Sequence, residues 1–193
     1  SWRNYTVIYN ITVLHRLANI TQLLYNTNMI EINKVFKLHN IDNSLLSQRI
    51  YEIQSNSHGL VVKGLSSYST EYNPIKDKVF NPLLNEILKI LNGYHIENVW
   101  FNIYKKGGYV REHNHIPNDF SKHYEYHANP NKHLSAVYNV KRPFDSGNFY
   151  LNQSKINMNE GDFFAFTSND MHYTTPNQSN EDRIAISINL IKA

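Results

Sequence analysis

The sequence predicts an α+β fold in one domain, with helices in the first half and an antiparallel sandwich or barrel in the second. Two observations support this class. Apolar residues recur at helical spacing in two stretches between residues 42 and 93. From residue 97 onward they alternate instead, in short runs separated by Gly, Pro, Asn and Asp. We therefore expect helical support over 42–93 and a β core over 97–193.

Start and stop signals, as well as spacing, predict the two helices. The cluster Asp42-Asn-Ser offers N-cap residues, and Gly59 is a stop signal. The second helix begins at Asn81-Pro82 and ends at Gly93, because Pro is favoured in the first turn and Gly just past the end. The apolar stripes of the two helices are Leu46, Ile50 and Ile53, and Leu84, Ile87, Leu88 and Leu91.

Six runs rich in Val, Ile, Phe and Tyr are predicted to be the strands of the β half. They span 97–104, 108–115, 133–140, 147–152, 162–167 and 183–191. An alternating run at 30–38 predicts one more strand before the helices, and 76–80 a short helical turn. The polar segment 118–132 is predicted to be a long loop, either a lid or substrate-binding loop or a solvated insertion.

Length and composition restrict the class of protein. A chain of 193 residues fits one domain, which we place at 29–193. Residues 1–28 are then an N-terminal extension whose role the sequence leaves open, and Met29 is a candidate native start. Because the chain contains no cysteine, disulfides, thiolate catalysis and Cys-type metal sites are excluded.

The charge and hydropathy of the chain bear on its partners and location. The net charge of +3 comes from scattered basic residues, so no nucleic-acid partner is expected. No segment approaches the length of a membrane span, and the N-terminus lacks the features of a signal peptide. We therefore expect a cytoplasmic protein, of a bacterium or of a virus-infected cell, with no membrane contact. The oligomeric state is left open.

Three histidines are the candidate metal ligands. His113 and His115 are two residues apart, so on a regular strand they share one face and can reach one metal ion. His172 follows a tight turn, an apolar strand and a polar turn. Imidazole suits iron, zinc, copper and nickel. In a chain with ten histidines, a His-x-His pair is by itself a weak signal, and an exposed strand end explains it equally well.

An arginine follows these histidines in the last predicted strand. Alternation there places Ile184, Ile186 and Ile188 on one face, and Arg183, Ala185, Ser187 and Asn189 on the other. The planar guanidinium of Arg183 is suited to a bidentate grip on a carboxylate. An Arg on a strand is otherwise usually solvated at an edge.

The order of these elements, from Val99 to Ala193, resembles the 2-oxoglutarate- and Fe(II)-dependent dioxygenases, in particular a prolyl-hydroxylase-like branch of phage and bacterial oxygenases with a His-x-His...His motif. The matching pieces are Trp100-Phe-Asn102, Gly107-Gly-Tyr-Val-Arg-Glu-His113-Asn-His115, Leu134-Ser-Ala-Val-Tyr138, Gly161-Asp-Phe-Phe-Ala-Phe166, His172 and Arg183. The resemblance implies a double-stranded β-helix, the jelly-roll or cupin-like core, with supporting N-terminal helices.

The resemblance also implies a metal centre made of His113, His115 and His172. Many of these enzymes have Asp at the position of His115, which completes two histidines and a carboxylate. A third imidazole would leave the metal one charge more positive. Two carboxylates stay open as alternative ligands: Asp119 on the following segment and Glu112, which should point to the opposite face of the strand.

The cofactors implied by the resemblance are Fe(II), 2-oxoglutarate as co-substrate, and O2. Arg183 would hold the distal carboxylate of 2-oxoglutarate, with a hydroxyl from Tyr104 as first choice or Tyr138 as second. Asn102 and Ser187 would line the same pocket, and no catalytic residue is expected beyond the metal centre. The implied reaction is hydroxylation of an unknown substrate, with succinate and CO2 as co-products.

The substrate is not encoded in these motifs, although the resemblance suggests a protein or peptide side chain. Two other classes of protein fit the same residues. One is a cupin-like metalloprotein that catalyses a different reaction, for which Arg183 would be dispensable. The other is a non-catalytic jelly-roll interaction module, which would bind no metal.

Overall fold

The structure, a computed structural model, describes residues 32–56, 60–61, 67–69 and 73–193. Three helices are α1 (Asn43–Asn56), α2 (Asn81–Ile90) and α3 (Phe120–Ala128), and 3-10 turns cover Pro74–Lys76 and Lys78–Phe80. The strands are β1 (Val35–Lys37), β2 (Leu60–Val61), β3 (Ser67–Ser69), β4 (Tyr94–Tyr104), β5 (His133–Lys141), β6 (Phe149–Leu151), β7 (Ser154–Ile156), β8 (Asp162–Thr167), β9 (His172–Thr174) and β10 (Arg183–Lys192).

The strands form two antiparallel sheets that enclose one core. The major sheet has seven strands in the order β1-β8-β5-β10-β4-β3-β2, and the minor sheet has three in the order β7-β6-β9. Side chains from both sheets meet between them: Phe149 of the minor sheet packs on Phe164 and Phe166 of the major sheet, with ring centroids 6.0 and 5.7 Å apart. This arrangement confirms the α+β class and the double-stranded β-helix core.

Helix α1 packs against β5 of the major sheet, and both helices that the sequence predicts over 42–93 are present. Asp42 caps α1, because its side chain accepts a hydrogen bond from the Leu45 backbone N–H at 2.9 Å. The helix buries Leu46, Ile50 and Ile53, and Gly93, with φ of 86°, follows the end of α2. Gly59, residues 1–28 and the candidate start Met29 lie outside the described residues. Within the described ranges, no helix has the length and hydropathy that a membrane crossing requires.

One predicted strand is wrong. Residues 108–115 do not form a regular strand, and the only ladder contact of that segment in the described structure is an isolated bridge between His113 and His172. Backbone groups of this segment bond to a loop and a side chain instead. Asn177 N donates to the Gly108 carbonyl at 2.9 Å, and Val110 N donates to Thr174 Oγ1 at 2.9 Å. These contacts replace the regular ladder that alternation alone suggested.

The prediction of a loop over 118–132 is also wrong, because most of that segment is helix α3. Two contacts anchor the helix to the β core. The Asn169 side-chain amide donates to the Tyr126 carbonyl at 2.7 Å, and the Tyr126 ring stacks on His133 with centroids 3.9 Å apart. Alternation also missed the short strands β7 and β9, while the other five predicted strands of the β half are present.

Candidate metal centre

The backbone brings His113 and His172 together. His113 N donates to the His172 carbonyl at 3.0 Å, and His172 N donates to the His113 carbonyl at 2.8 Å. Residues that exchange both hydrogen bonds in an antiparallel pair point their side chains to the same side. The two imidazole rings accordingly lie with centroids 4.2 Å apart. Two residues 59 positions apart in the sequence are therefore adjacent, because the start of β9 forms a bridge with the irregular segment 108–115.

His115 completes the cluster. Its backbone N–H donates to the Ser168 carbonyl at 2.9 Å, which fixes the backbone at this position. The candidate ligand nitrogens of His113, His115 and His172 all lie within 4.8 Å of one another. His113 Nε2 and His115 Nε2 are 3.3 Å apart. Nitrogens bound at right angles to one zinc-sized ion, with bonds of about 2.1 Å, would be roughly 3 Å apart, so this geometry fits a shared metal.

The outer nitrogen of each ring is held by protein oxygens. His113 Nδ1 lies 2.8 Å from the Arg111 carbonyl, and His172 Nδ1 lies 3.1 Å from the Asp170 carbonyl. His115 Nδ1 lies 2.7 Å from Asn189 Oδ1. A carbonyl oxygen can only accept, so Nδ1 carries the proton and Nε2 keeps a lone pair. Three Nε2 lone pairs that face one another are the arrangement expected of metal-binding histidines.

Burial keeps two of these rings neutral. Desolvation lowers the pKa of His115 to about 4 and that of His172 to about 3, and the neighbouring His113 lowers both further. Neutral imidazoles at physiological pH are ready to bind a metal, since no proton has to be displaced from Nε2. His115 and His172 therefore have the protonation state that a metal requires.

The three rings open into a cavity of about 200 Å³. Its lining includes Arg183 and the apolar side chains of Trp100, Val110, Phe149 and Phe166. Trp100 lies next to the histidine cluster, with its ring centroid 5.5 Å from that of His115. A mostly apolar cavity with a few convergent polar groups is typical of small-molecule sites.

Arg183 is a buried cation in this cavity. Its side chain is only 2 % exposed, and its Nε has no hydrogen-bond partner among the described residues. Its Nη2 donates a long hydrogen bond to Asn139 Oδ1 at 3.4 Å, and its Cζ lies 5.4 Å from the centroid of the Tyr104 ring. Burial lowers the pKa of Arg183 to about 10, so it stays charged at neutral pH. A buried cation of this kind attracts an anionic ligand.

The other predicted pocket residues divide between two locations. Tyr104, Asn102 and Ser187 all line the cavity, and the Asn102 amide donates to Ser187 Oγ at 3.3 Å. Tyr138 does not line it. The Tyr138 hydroxyl donates to Asn43 Oδ1 of α1 at 2.7 Å, on the opposite face of β5. Tyr138 as the second-choice hydroxyl is therefore wrong, because that face of β5 packs against a helix.

The two alternative carboxylate ligands are not part of the cluster. Glu112 and Asp119 are both exposed, whereas His115 is mostly buried with its Nε2 toward His113. Three polar residues that sequence reasoning missed surround His115 instead: Ser135, Ser168 and Asn189. Only Asn189 had a sequence signal, since alternation placed it on the same face as Arg183.

Comparisons with known proteins agree with this site. Residues 98–189 match a family model described as "Putative 2OG-Fe(II) oxygenase". No curated protein is similar to the chain in sequence. Among solved structures, a Pseudomonas putida prolyl-4-hydroxylase is similar with a TM-score of 0.58 and 13 % identity, over 82 % of this chain and 91 % of that one.

Two further structures are prolyl hydroxylases. The viral collagen prolyl hydroxylase of Paramecium bursaria Chlorella virus-1, solved with 2-oxoglutarate, has a TM-score of 0.58 and 18 % identity, over 83 % of this chain and 98 % of that one. The Trichoplax adhaerens enzyme, solved with a hypoxia-inducible-factor peptide, has a TM-score of 0.57 and 15 % identity, over 95 % and 93 %. At such identities these likenesses show the shared fold.

Proposed function

We propose that this protein is a 2-oxoglutarate- and Fe(II)-dependent oxygenase that hydroxylates a substrate C–H bond with succinate and CO2 as co-products. The match of residues 98–189 to the family model supports the first part of this proposal. The observation that carries the proposal is the convergence on a single cavity of three imidazole nitrogens and one buried guanidinium, whose Nε has no hydrogen-bond partner among the described residues. The superfamily implies Fe(II), 2-oxoglutarate and O2.

In this proposal, His113, His115 and His172 hold the iron. Bound there, Fe(II) would supply the activation of O2 that is coupled to decarboxylation of 2-oxoglutarate. Among the described residues, the cluster contains no carboxylate, so its three ligands are neutral. Such a site keeps the full charge of the ion, which strengthens its attraction for the anionic co-substrate.

Arg183 would bind the distal carboxylate of 2-oxoglutarate, with the Tyr104 hydroxyl as its partner. Along β4 and β10, Asn102 and Ser187 lie between the Arg183–Tyr104 pair and the histidines. They would contact the carbon chain of 2-oxoglutarate. The apolar side chains of Phe149, Phe166 and Val110 exclude water around it. Exclusion of water strengthens each polar contact in the cavity and protects the reaction from side products.

The central test is iron-dependent formation of succinate from 2-oxoglutarate. We expect turnover by the wild type and its loss in His115→Ala and in Arg183→Ala. The matched control is His39→Ala, because His39 is exposed and is not part of the cluster. Full turnover in Arg183→Ala would contradict the proposed role of Arg183, and wild-type protein that binds iron but forms no succinate would indicate a cupin-like metalloprotein with another reaction. Wild-type protein that binds no iron would indicate a non-catalytic module.

The substrate class proposed is a protein or peptide side chain. Its support is limited to the fold shared with the Trichoplax adhaerens prolyl hydroxylase, which was solved with a peptide. We expect that incubation with iron, 2-oxoglutarate and a defined peptide library adds one oxygen atom to a subset of peptides. Mass spectrometry detects this gain. If the protein hydroxylated free small molecules but none of the peptides, the proposed substrate class would be wrong.

A further inference from the structure

The three histidines of the cluster differ in what holds their outer nitrogens. Backbone carbonyls, of Arg111 and Asp170, hold His113 and His172, and no side-chain substitution removes them. Side chains alone hold His115 Nδ1, namely Asn189 Oδ1 and Ser135 Oγ, each at 2.7 Å. The orientation of His115 therefore depends on residues that can be changed one at a time.

These side chains form a connected network that converges on His115 from three elements. Ser135 lies on β5, Asn189 on β10, and Ser168 directly after β8. Ser135 Oγ donates to Asn189 Oδ1 at 3.1 Å and lies 3.0 Å from Ser168 Oγ. Ser135 is fully buried and Ser168 is 3 % exposed. Buried hydroxyls are ordinarily satisfied, and here each is satisfied within the network that ends on His115.

We propose that Asn189 and Ser135 are positioning residues that fix the tautomer and the direction of His115, so that its Nε2 lone pair faces the other two histidines. This inference rests on the proposed metal-binding role of the three histidines. It adds a function for two residues that contact neither the proposed metal nor 2-oxoglutarate.

The argument follows from what each group can donate. Asn189 Oδ1 only accepts, so its contact with His115 Nδ1 requires the proton on Nδ1 and leaves Nε2 as the acceptor. A hydroxyl can donate or accept. If the Ser135 hydroxyl donated to Nδ1 instead, the proton would sit on Nε2 and point at His113 Nε2, which is 3.3 Å away. In that state His115 Nε2 carries a proton in place of its lone pair, so it cannot bind a metal ion.

The donor directions are mutually consistent in the metal-competent state. Ser168 donates to Ser135, Ser135 donates to Asn189 Oδ1, and His115 Nδ1–H donates to the same oxygen. Asn189 Oδ1 thus accepts from two donors and directs the hydroxyl proton of Ser135 away from His115 Nδ1. Residues that hold the second nitrogen of a ligand histidine typically change metal affinity about 10–100-fold when they are replaced.

The test measures Zn(II) affinity by calorimetry and the tautomer of His115 by two-bond proton–nitrogen correlation in ¹⁵N-histidine-labelled protein. In Zn-free wild type we expect the proton of His115 on Nδ1. Asn189→Leu should weaken Zn(II) binding about 10–100-fold. Asn189→Asp should tighten it at least about 10-fold, because a carboxylate accepts the Nδ1 proton more strongly and raises the basicity of Nε2.

Ser135→Ala and an exposed asparagine complete the design. Ser135→Ala leaves Asn189 in place, so it should weaken Zn(II) binding less than Asn189→Leu does. It also keeps the inference testable if Asn189→Leu does not fold. The control is Asn92→Asp, since Asn92 is an exposed residue just after α2 and is not part of the network around His115. That variant makes the same chemical change away from the cluster and should leave Zn(II) affinity unchanged.

The outcomes separate this inference from the proposed function. Wild type that binds Zn(II) while the Asn189 and Ser135 variants bind it equally well would overturn the positioning role alone. A proton found on Nε2 of His115 in Zn-free wild type would also overturn it. Wild type that binds no Zn(II) would overturn the proposed metal centre, and the positioning role with it.

Discussion

Arg183 and Arg142 lie near one another but differ in how their charges are compensated. Arg142 donates from Nε to the Met158 carbonyl at 2.6 Å and from Nη2 to Asn148 Oδ1 at 3.2 Å. Arg183 makes one weak hydrogen bond and has an unpartnered Nε within the described structure. An uncompensated buried charge costs stability, whereas a hydrogen-bonded one contributes to it. This contrast at the residue scale points to Arg183 as a group maintained for a ligand.

The first prediction concerns Arg183→Met, which has a similar shape and no charge. We expect its apparent melting temperature to be equal to or higher than that of the wild type, because replacement of a buried charge by an apolar side chain is often neutral or stabilising by about 1–4 kcal/mol. Its succinate formation should fall at least about 100-fold. The comparison variant Arg142→Met should unfold at a lower temperature. A strongly destabilised Arg183→Met would contradict the ligand-binding role.

The second prediction concerns pH and the histidine cluster. Burial lowers the pKa values of His115 and His172 to about 4 and about 3, below the ordinary value of about 6.5. At pH values between these folded-state pKa values and 6.5, the unfolded chain binds more protons than the folded one, so the folded state loses stability as the pH falls. The free energy of unfolding is therefore unaffected by these rings above about pH 6.5. It decreases as the pH falls toward 4, by up to about 3 kcal/mol for each ring.

Urea unfolding in the presence of EDTA, at pH 7 and at pH 4.5, measures this loss. His115→Asn should reduce the difference between the two pH values, because one of the shifted groups is absent. His39→Asn should leave the difference unchanged, since His39 is exposed. Equal pH dependence in wild type and His115→Asn would show that His115 is not held neutral in the folded state.

At the scale of elements, the turn between β5 and β6 has little tolerance for change. Gly147 has φ of 84°, and a Cβ there would lie 2.3 Å from the Thr175 carbonyl oxygen. That oxygen belongs to the backbone immediately after β9, the strand that carries His172. Because Gly147 has no side chain, the β5–β6 turn can lie directly against the backbone at Thr175, at the end of the minor sheet.

The third prediction compares Gly147→Ala with Gly93→Ala. Both glycines have positive φ, but a Cβ at Gly93 would meet nothing within 4 Å. Gly93→Ala should therefore cost about 1–2 kcal/mol of unfolding free energy, from the backbone conformation alone. Gly147→Ala should cost about 1–3 kcal/mol more, because it adds a steric overlap. Denaturant unfolding measures both, and equal losses would rule out the backbone contact at Gly147.

At the scale of the whole molecule, the histidine cluster connects the two sheets. His172 begins β9 of the minor sheet, whereas His115 is held by side chains from β5 and β10 of the major sheet. A metal bound by both would link the sheets across the cavity. Its binding energy would therefore stabilise the folded core as a unit.

The fourth prediction is that divalent metal raises the melting temperature of the whole domain. Zn(II) at about 100 times its dissociation constant should stabilise the fold by about 2.7 kcal/mol, and EDTA should reverse the shift. His172→Ala should remove most of the effect, while His95→Ala, at an exposed position on β4, should retain it. A metal-induced shift that persists in His172→Ala would place the binding site elsewhere.

The periodic patterns predicted several parts of the fold because they depend on neighbours along the chain. Helical spacing and the Asp42 cap identified α1, and spacing with Pro and Gly signals identified α2. Alternation identified β10 and placed Arg183, Ser187 and Asn189 on one face. The same period-two argument failed for β5, where every residue but the last is buried. A strand covered on both faces shows no alternation, so nothing in the sequence indicated that Tyr138 faces α1.

The segment 118–132 shows why a weakly amphipathic helix escapes sequence reasoning. Its helix α3 is short and polar, and short helices are marginal in isolation. Tyr126 stacking on His133 and the hydrogen bond from Asn169 stabilise it. His133 lies on the next strand, and Asn169 lies 43 residues beyond Tyr126 in the sequence. The irregular course of 108–115 has the same origin, because its partners Thr174 and Asn177 lie far along the sequence.

The sequence by itself determined the α+β class, the order of the motif residues and the candidate ligands His113, His115 and His172, since these follow from residue type and local spacing. The tertiary structure alone decided that the three rings converge and that Arg183 is buried without a carboxylate partner among the described residues. It also decided which oxygens hold each Nδ1. The physical reason is that hydrogen-bond partners and desolvation are set by groups far apart in the chain, which only the packing of two sheets brings within reach.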